Sequence, residues 1–260
     1  MQHARLREKL ISLEIPAAIA DELPDLPPSV QSVLLYGSRA RGDFLSDSDV
    51  DLLALVPKQI PSISAGPINI SFYTRAQIAS GISSLFGLHL QRDGIILSDT
   101  DGQLAATIAK LGPVDTARLL ARVQAMSALF TTPARDLPKY LPGLLREARY
   151  LLRSTLYANA IALGDPCFSV REIASRHGDP DLARLLSSRQ HGNPSIGDYD
   201  RCLAQLNELI GEFPESRHGS LEATVVNEWG IPGDLLSMAF MALGSSGGGS
   251  DYAEVGKILL

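Results

Sequence analysis

The sequence predicts an α+β fold in two parts, a small mixed sheet backed by helices followed by a bundle of helices. Three observations carry this reading. Two apolar runs of strand length, Val33-Leu34-Leu35-Tyr36 and Leu52-Leu53-Ala54-Leu55-Val56, lie in the first quarter of the chain and are separated by turn residues. From Val114 onward the apolar residues recur only at helical spacing. Between these regions Gly112-Pro113 breaks the pattern. The expected division is a sheet domain at 1–112, a helical domain at 113–243 and a tail at 244–260.

Taken in order, residues 2–12 and 16–23 read as short helices interrupted at Pro16. The proline-rich Leu23-Pro24-Asp25-Leu26-Pro27-Pro28 ends the second and delivers the chain into a strand at 31–36. Strands follow at 50–56 and 68–74, helices across 75–92, a short strand at 95–98 and a helix at 101–111. The segment ending in Gly94 carries His89, which packs or caps in this reading. The helical part is read as 114–130, 138–163, 170–177, 180–188, 197–212, 221–229 and 233–243. Ser169-Val170-Arg171-Glu172 has the form of a capping box, serine and glutamate three apart at a helix start. In 138–163 the leucines make one stripe, while Arg146, Arg149 and Arg153 form a row on another face. Such a row is either a solvated face or a surface for a triphosphate or an anionic acceptor. Gly244-Ser245-Ser246-Gly247-Gly248-Gly249-Ser250 reads as a flexible linker before a ten-residue peptide.

The chemistry concentrates in Gly37-Ser38, ten residues, then Asp49-Val50-Asp51. A Gly-Ser turn leaving one strand can present backbone N–H groups to a phosphate. Side chains alternate across a strand, so Asp49 and Asp51 project to one face and Val50 and Leu52 to the other. Two carboxylates held that close repel unless a cation lies between them. The apolar run after Asp51 reads as a buried strand that holds them on a rigid element, and residues 42–48 form the turn that returns the chain to that edge.

This pattern, with Arg-Gly inside it and Ser-Asp-Ser-Asp leading into the acidic pair, resembles the minimal nucleotidyltransferase branch of the DNA polymerase β superfamily, which includes kanamycin and streptomycin adenylyltransferases and toxin–antitoxin nucleotidyltransferases. The resemblance implies a nucleotidyltransferase domain followed by a substrate-binding helical bundle. It implies that Gly37 and Ser38 contact the triphosphate, with Arg39 and Arg41 beside them, and that Asp49 and Asp51 bind magnesium, two ions in the full complex. The implied reaction moves a nucleoside monophosphate, AMP from ATP, to a hydroxyl of a small molecule, protein or RNA. Members of the family usually complete the site with a third acid on a later strand, and here alternation along 68–74 places Asn69 there. An amide can ligate a cation but cannot act as a base. Glu147, on the helix at 138–163, is the leading substitute because some adenylyltransferases take their base from a helical domain, with Asp93 and Asp99 behind it. The alternative reading is a catalytically impaired nucleotide-binding module of regulatory, toxin–antitoxin or defence type.

Composition narrows the rest. A net charge of −6 discourages a chain built to coat nucleic acid. Cys167 and Cys202 make neither a disulfide framework nor a metal-ligand spacing, and the five histidines are scattered. With no long apolar run and no apolar leader, the expectation is a cytoplasmic protein without a membrane partner.

Overall fold

The computed structural model describes residues 2–46, 48–131, 134–187, 193–230 and 233–244; Asp47, most of the glycine-serine linker and the peptide after it lie outside the described residues. The chain divides into two compact units, one up to Val114 and one from Asp115.

The first unit runs α1 (Gln2–Ser12), α2 (Ala17–Ala20), β1 (Ser32–Tyr36), α3 (Ser38–Arg41), β2 (Val50–Leu55), β3 (Ile63–Ala65), β4 (Ile68–Tyr73), α4 (Arg75–Ser80), α5 (Leu85–Asp93), β5 (Ile95–Asp99) and α6 (Gln103–Ile108). Its sheet has the order β3-β4-β2-β1-β5. β1 is antiparallel to both β2 and β5, β2 is parallel to β4, and β3 is antiparallel to β4. β2 is central and apolar on both faces, as a strand covered on two sides must be. One face carries Val33, Leu35, Val50, Leu52, Ile68, Ile70 and Phe72 against Leu6 and Leu10 of α1. The other carries Leu34, Leu53, Leu55 and Tyr73 against Ile78, Leu90 and Leu104 of α4, α5 and α6.

Several elements differ from expectation. The second helix shrinks to four residues, consistent with the prolines that follow it. The Gly-Ser turn continues into the short α3, and β3 is an additional strand, three residues long, joined to β4 by Gly66-Pro67. A capping box does form, but at Thr74 and Gln77. At Ser169 the hydroxyl accepts from the Glu172 N–H, while the Glu172 carboxylate pairs with Arg176.

The second unit contains α7 (Thr116–Met126), α8 (Leu137–Ala162), α9 (Val170–Arg176), α10 (Pro180–Leu186), α11 (Ile196–Ile210), α12 (Leu221–Glu228) and α13 (Asp234–Leu243), with no strand among the described residues. The arginines of the α8 row are each engaged within the helical unit. Arg146 donates to the Met241 carbonyl, Arg149 donates to the Leu185 carbonyl and pairs with Asp198, and Arg153 donates to the Leu186 carbonyl. These side chains tie α8 to α11, α13 and the end of α10, whose last carbonyls have no partner within their own helix. Both cysteines are free and buried.

Candidate active site

Because β1 and β2 are antiparallel and β2 and β4 parallel, the end of β1 and the starts of β2 and β4 meet at one sheet edge. Register places Asp51 directly opposite Tyr36 on β1 and Asn69 on β4. All three lie on the face that packs against α4, α5 and α6, because the neighbouring Val50 and Leu52 belong to the opposite core. Asp49 stands one residue before β2, outside the strand. Asn69 and Asp51 thus stand side by side on neighbouring strands. The Asn69 carbonyl oxygen accepts a hydrogen bond of 2.9 Å from the Ser64 hydroxyl on β3.

Gly37 is the tightest constraint at this edge. Its φ of 81° and ψ of −161° lie in a region that side-chain-bearing residues avoid, and a Cβ built there would stand 2.7 Å from Asp51 Oδ2. The bend therefore runs directly over the carboxylate. Ser38 opens α3, and its carbonyl accepts the N–H groups of Gly42 and Asp43. The edge carries a set of oxygen donors, the Asp51 carboxylate beside the Asn69 amide, with Asp49 two residues before Asp51 in the chain and the Gly37 backbone close against Asp51 Oδ2. That set fits a hard cation of the magnesium type, which takes one or two carboxylates and keeps water or phosphate for its other positions. Among the described residues no three His, Cys, Asp or Glu side chains gather as a self-sufficient metal cage.

The two loop arginines are placed differently. Arg39 is buried, its guanidinium donating from Nε and Nη2 to the Ser48 carbonyl at 3.0 and 2.8 Å and lying 4.8 Å over the Phe44 ring. It braces the loop that leads into Asp49. Arg41 reaches the other way: Nη1 is 3.0 Å from His89 Nε2 on α5 and Nη2 is 3.1 Å from Asp43. His89 stands edge-on to Tyr36, ring centroids 6.1 Å apart, and its Nε2 is 3.6 Å from Asp93. Burial first and then the Arg41 charge push the His89 pKa down to about 4, against the opposing pull of Asp93. Burial also raises the Tyr36 hydroxyl, as does the charge of Asp51 beside it. Helical spacing reads His89 as packing or capping and does not single out Tyr36. Register opposite Asp51 was the signal for Tyr36, and periodicity alone does not supply register.

The other acids singled out from sequence have partners of their own. Glu147 is in α8 of the helical unit, 2% exposed, its carboxylate accepting from Arg146 Nε at 2.9 Å; burial raises its pKa and the Arg146 charge opposes the rise. Asp93 pairs with Arg92 at 2.6 Å. Asp99 lies opposite Ser32, at the far end of β1 from Tyr36, where it accepts from the Ser32 hydroxyl and from the N–H groups of Leu104 and Ala105.

Residues 17–91 match the family model described as a nucleotidyltransferase domain, a span that includes Gly37, Ser38, Asp49, Asp51, Asn69 and His89. No curated protein matches. Among solved structures, a toxin–antitoxin crystallised with AMP-PNP is 17% identical, the match covering 40% of this chain and 82% of that one at a TM-score of 0.25. A nucleotidyltransferase-like protein from Exiguobacterium sibiricum 255-15 is 16% identical, the match covering 70% of this chain and 69% of that one at a TM-score of 0.26.

Proposed function

We propose, for a chain whose residues 17–91 are a nucleotidyltransferase domain, that it moves a nucleoside monophosphate, AMP from ATP, to a hydroxyl of an acceptor and releases pyrophosphate. The observation that carries this reading is the bend at Gly37 lying against Asp51, which brings the backbone that follows β1 up to a carboxylate. Asp49 and Asp51 would hold magnesium, with Asn69 offering a carbonyl oxygen and the polyphosphate completing the coordination. When bound, that ion neutralises phosphate charge and lowers the pKa of the incoming hydroxyl. Gly37 and Ser38 offer turn N–H groups to the phosphates, and Arg41 adds a fixed positive charge. Arg39 serves this site indirectly, by holding the Ser48 carbonyl and hence the entry to Asp49.

We assign Glu147 to the interior of the helical unit, on the support of its burial and its pairing with Arg146. Asn69 is no base, so the acceptor proton leaves to solvent in this reading. The acceptor is assigned to the helical domain, and the same chemistry admits a small molecule, a protein or an RNA end. Among the described residues no helix is long and apolar enough to cross a membrane.

The test is incubation with each labelled NTP and magnesium in a cell extract, comparing wild type with Asp49→Asn and Asp51→Asn. Transfer from ATP is expected in wild type and at least about 100-fold less in either variant, with the fold retained by circular dichroism. Wild-type turnover in either variant refutes the assignment. One observation favours a second reading, a nucleotide binder without transfer: the amide of Asn69 at the register position beside Asp51. Tight Mg·ATP binding by calorimetry with no pyrophosphate released would decide for it.

A further inference from the structure

The α5 helix contributes to the site edge a group that the metal–phosphate arrangement does not use. A guanidinium only donates hydrogen bonds, so at 3.0 Å from Arg41 Nη1 the His89 Nε2 is the acceptor and the proton of the ring sits on Nδ1. Arg41 is thereby held between an imidazole on α5 and a carboxylate on its own loop, Asp43 at 3.1 Å. Its Nε is enclosed with no partner among the described residues, so the side chain is fixed at its end and not along its stem. The ring is itself fixed, four-fifths buried against Tyr36, with Asp93 and Arg92 on its own helix beside it.

We propose that His89 is a positioning residue for the nucleotide triphosphate: its uncharged imidazole accepts from Arg41 and aims that guanidinium at the polyphosphate held by the Gly37-Ser38 bend. The proposal rests on the nucleotidyltransferase reading of that bend. The physical reason is preorganisation. An arginine side chain has several rotatable bonds, and ordering them before the ligand arrives removes that cost from binding. An imidazole suits the task because it takes the arginine hydrogen bond without adding a charge that would compete with the phosphate for the guanidinium. Asp43 already pairs with Arg41, and a second carboxylate at the histidine position would neutralise the guanidinium further.

Calorimetry of Mg·ATP binding tests this with His89→Leu, which keeps bulk and removes the acceptor, and His89→Gln, which supplies a carbonyl oxygen near the Nε2 position. His89→Leu is expected to weaken binding about tenfold and His89→Gln to stay within about threefold of wild type. In an Arg41→Ala background, His89→Leu should change affinity by less than about twofold, because the pair acts as one unit. An equal loss in both backgrounds would reduce His89 to general packing and overturn the proposal, as would wild-type affinity in His89→Leu. Imidazole nitrogen chemical shifts give a readout that needs no nucleotide: a ring protonated on Nδ1 and bare on Nε2 supports the proposal, and one protonated on Nε2 overturns it. Absence of Mg·ATP binding in wild type would instead bring down the nucleotidyltransferase reading, and the proposal with it.

Discussion

Two glycines five residues apart, Gly37 and Gly42, allow the bend over Asp51 to be tested by the same substitution in two environments. Both have positive φ, 81° and 78°. At Gly42 a Cβ meets nothing within 4 Å and the backbone is ordinary left-handed helical, ψ 8°, so alanine costs about 1–2 kcal/mol. At Gly37 the ψ of −161° puts the residue in a nearly glycine-only region, costing about 1–3 kcal/mol, and the added Cβ lies 2.7 Å from Asp51 Oδ2. The atom struck is the end of a side chain, so the carboxylate swings aside and the fold survives. The gain from a stiffer unfolded chain, about 0.4–1 kcal/mol, applies to both variants and cancels in the comparison. Gly37→Ala should therefore lose about tenfold or more in Mg·ATP affinity by calorimetry, whereas Gly42→Ala stays within about threefold, with urea unfolding showing modest destabilisation of each. Wild-type affinity in Gly37→Ala, or equal losses in the two variants, would refute the claim that the bend and the carboxylate act together.

Three further outcomes follow from the geometry. His89 has a folded pKa of about 4 against an ordinary 6.5, so the unfolded chain binds more protons between those values and stability is lost as pH falls through that window. By pH 5 the loss attributable to His89 is about 2 kcal/mol, and His89→Gln should lack that part of the slope in urea titrations run across pH. Burial holds the Glu147 carboxyl above its ordinary value, so the folded state binds its proton more tightly and stability declines as pH rises from the ordinary carboxylate range through the folded value. Glu147→Gln should flatten that decline and keep nucleotide transfer; loss of transfer with Mg·ATP binding intact would make Glu147 the base. In the helical unit a Cβ on Gly143 would stand 2.0 Å from the Ala242 carbonyl, so α8 and α13 pack through that position. Gly143→Ala should destabilise by about 1–3 kcal/mol through overpacking, despite alanine's advantage of about 0.5–1 kcal/mol in a helix, as thermal melts would show.

Legibility in the sequence followed the range of the interactions involved. Asp49, Asp51 and the Gly-Ser bend were readable because strand alternation and turn chemistry act between residues close in sequence. The same holds for α8, whose leucine stripe has an unmistakable period. Its arginines were not readable. Three cations at steps of three and four look alike whether they face water or reach the carbonyls of Met241, Leu185 and Leu186, and the distinction depends on where α10 and α13 lie against α8. Glu147 is read as a base from the resemblance to adenylyltransferases with a base on a helical domain, and that resemblance does not report that the side chain is buried. His89 lies 48 residues from Arg41, and no local pattern joins a helix histidine to a loop arginine.

The succession of a strand-bearing part and a helical part, the Asp-x-Asp spacing at the start of β2 and the turn at Gly37 were legible in the sequence alone, because each follows from backbone sterics and side-chain periodicity within a few residues. The tertiary structure decided which residues stand across from Asp51, which of the two loop arginines braces and which reaches the α5 histidine, and where each buried charge finds its partner. Those outcomes depend on strand register and helix docking, which are set by burial summed over the whole core and are written in no single segment.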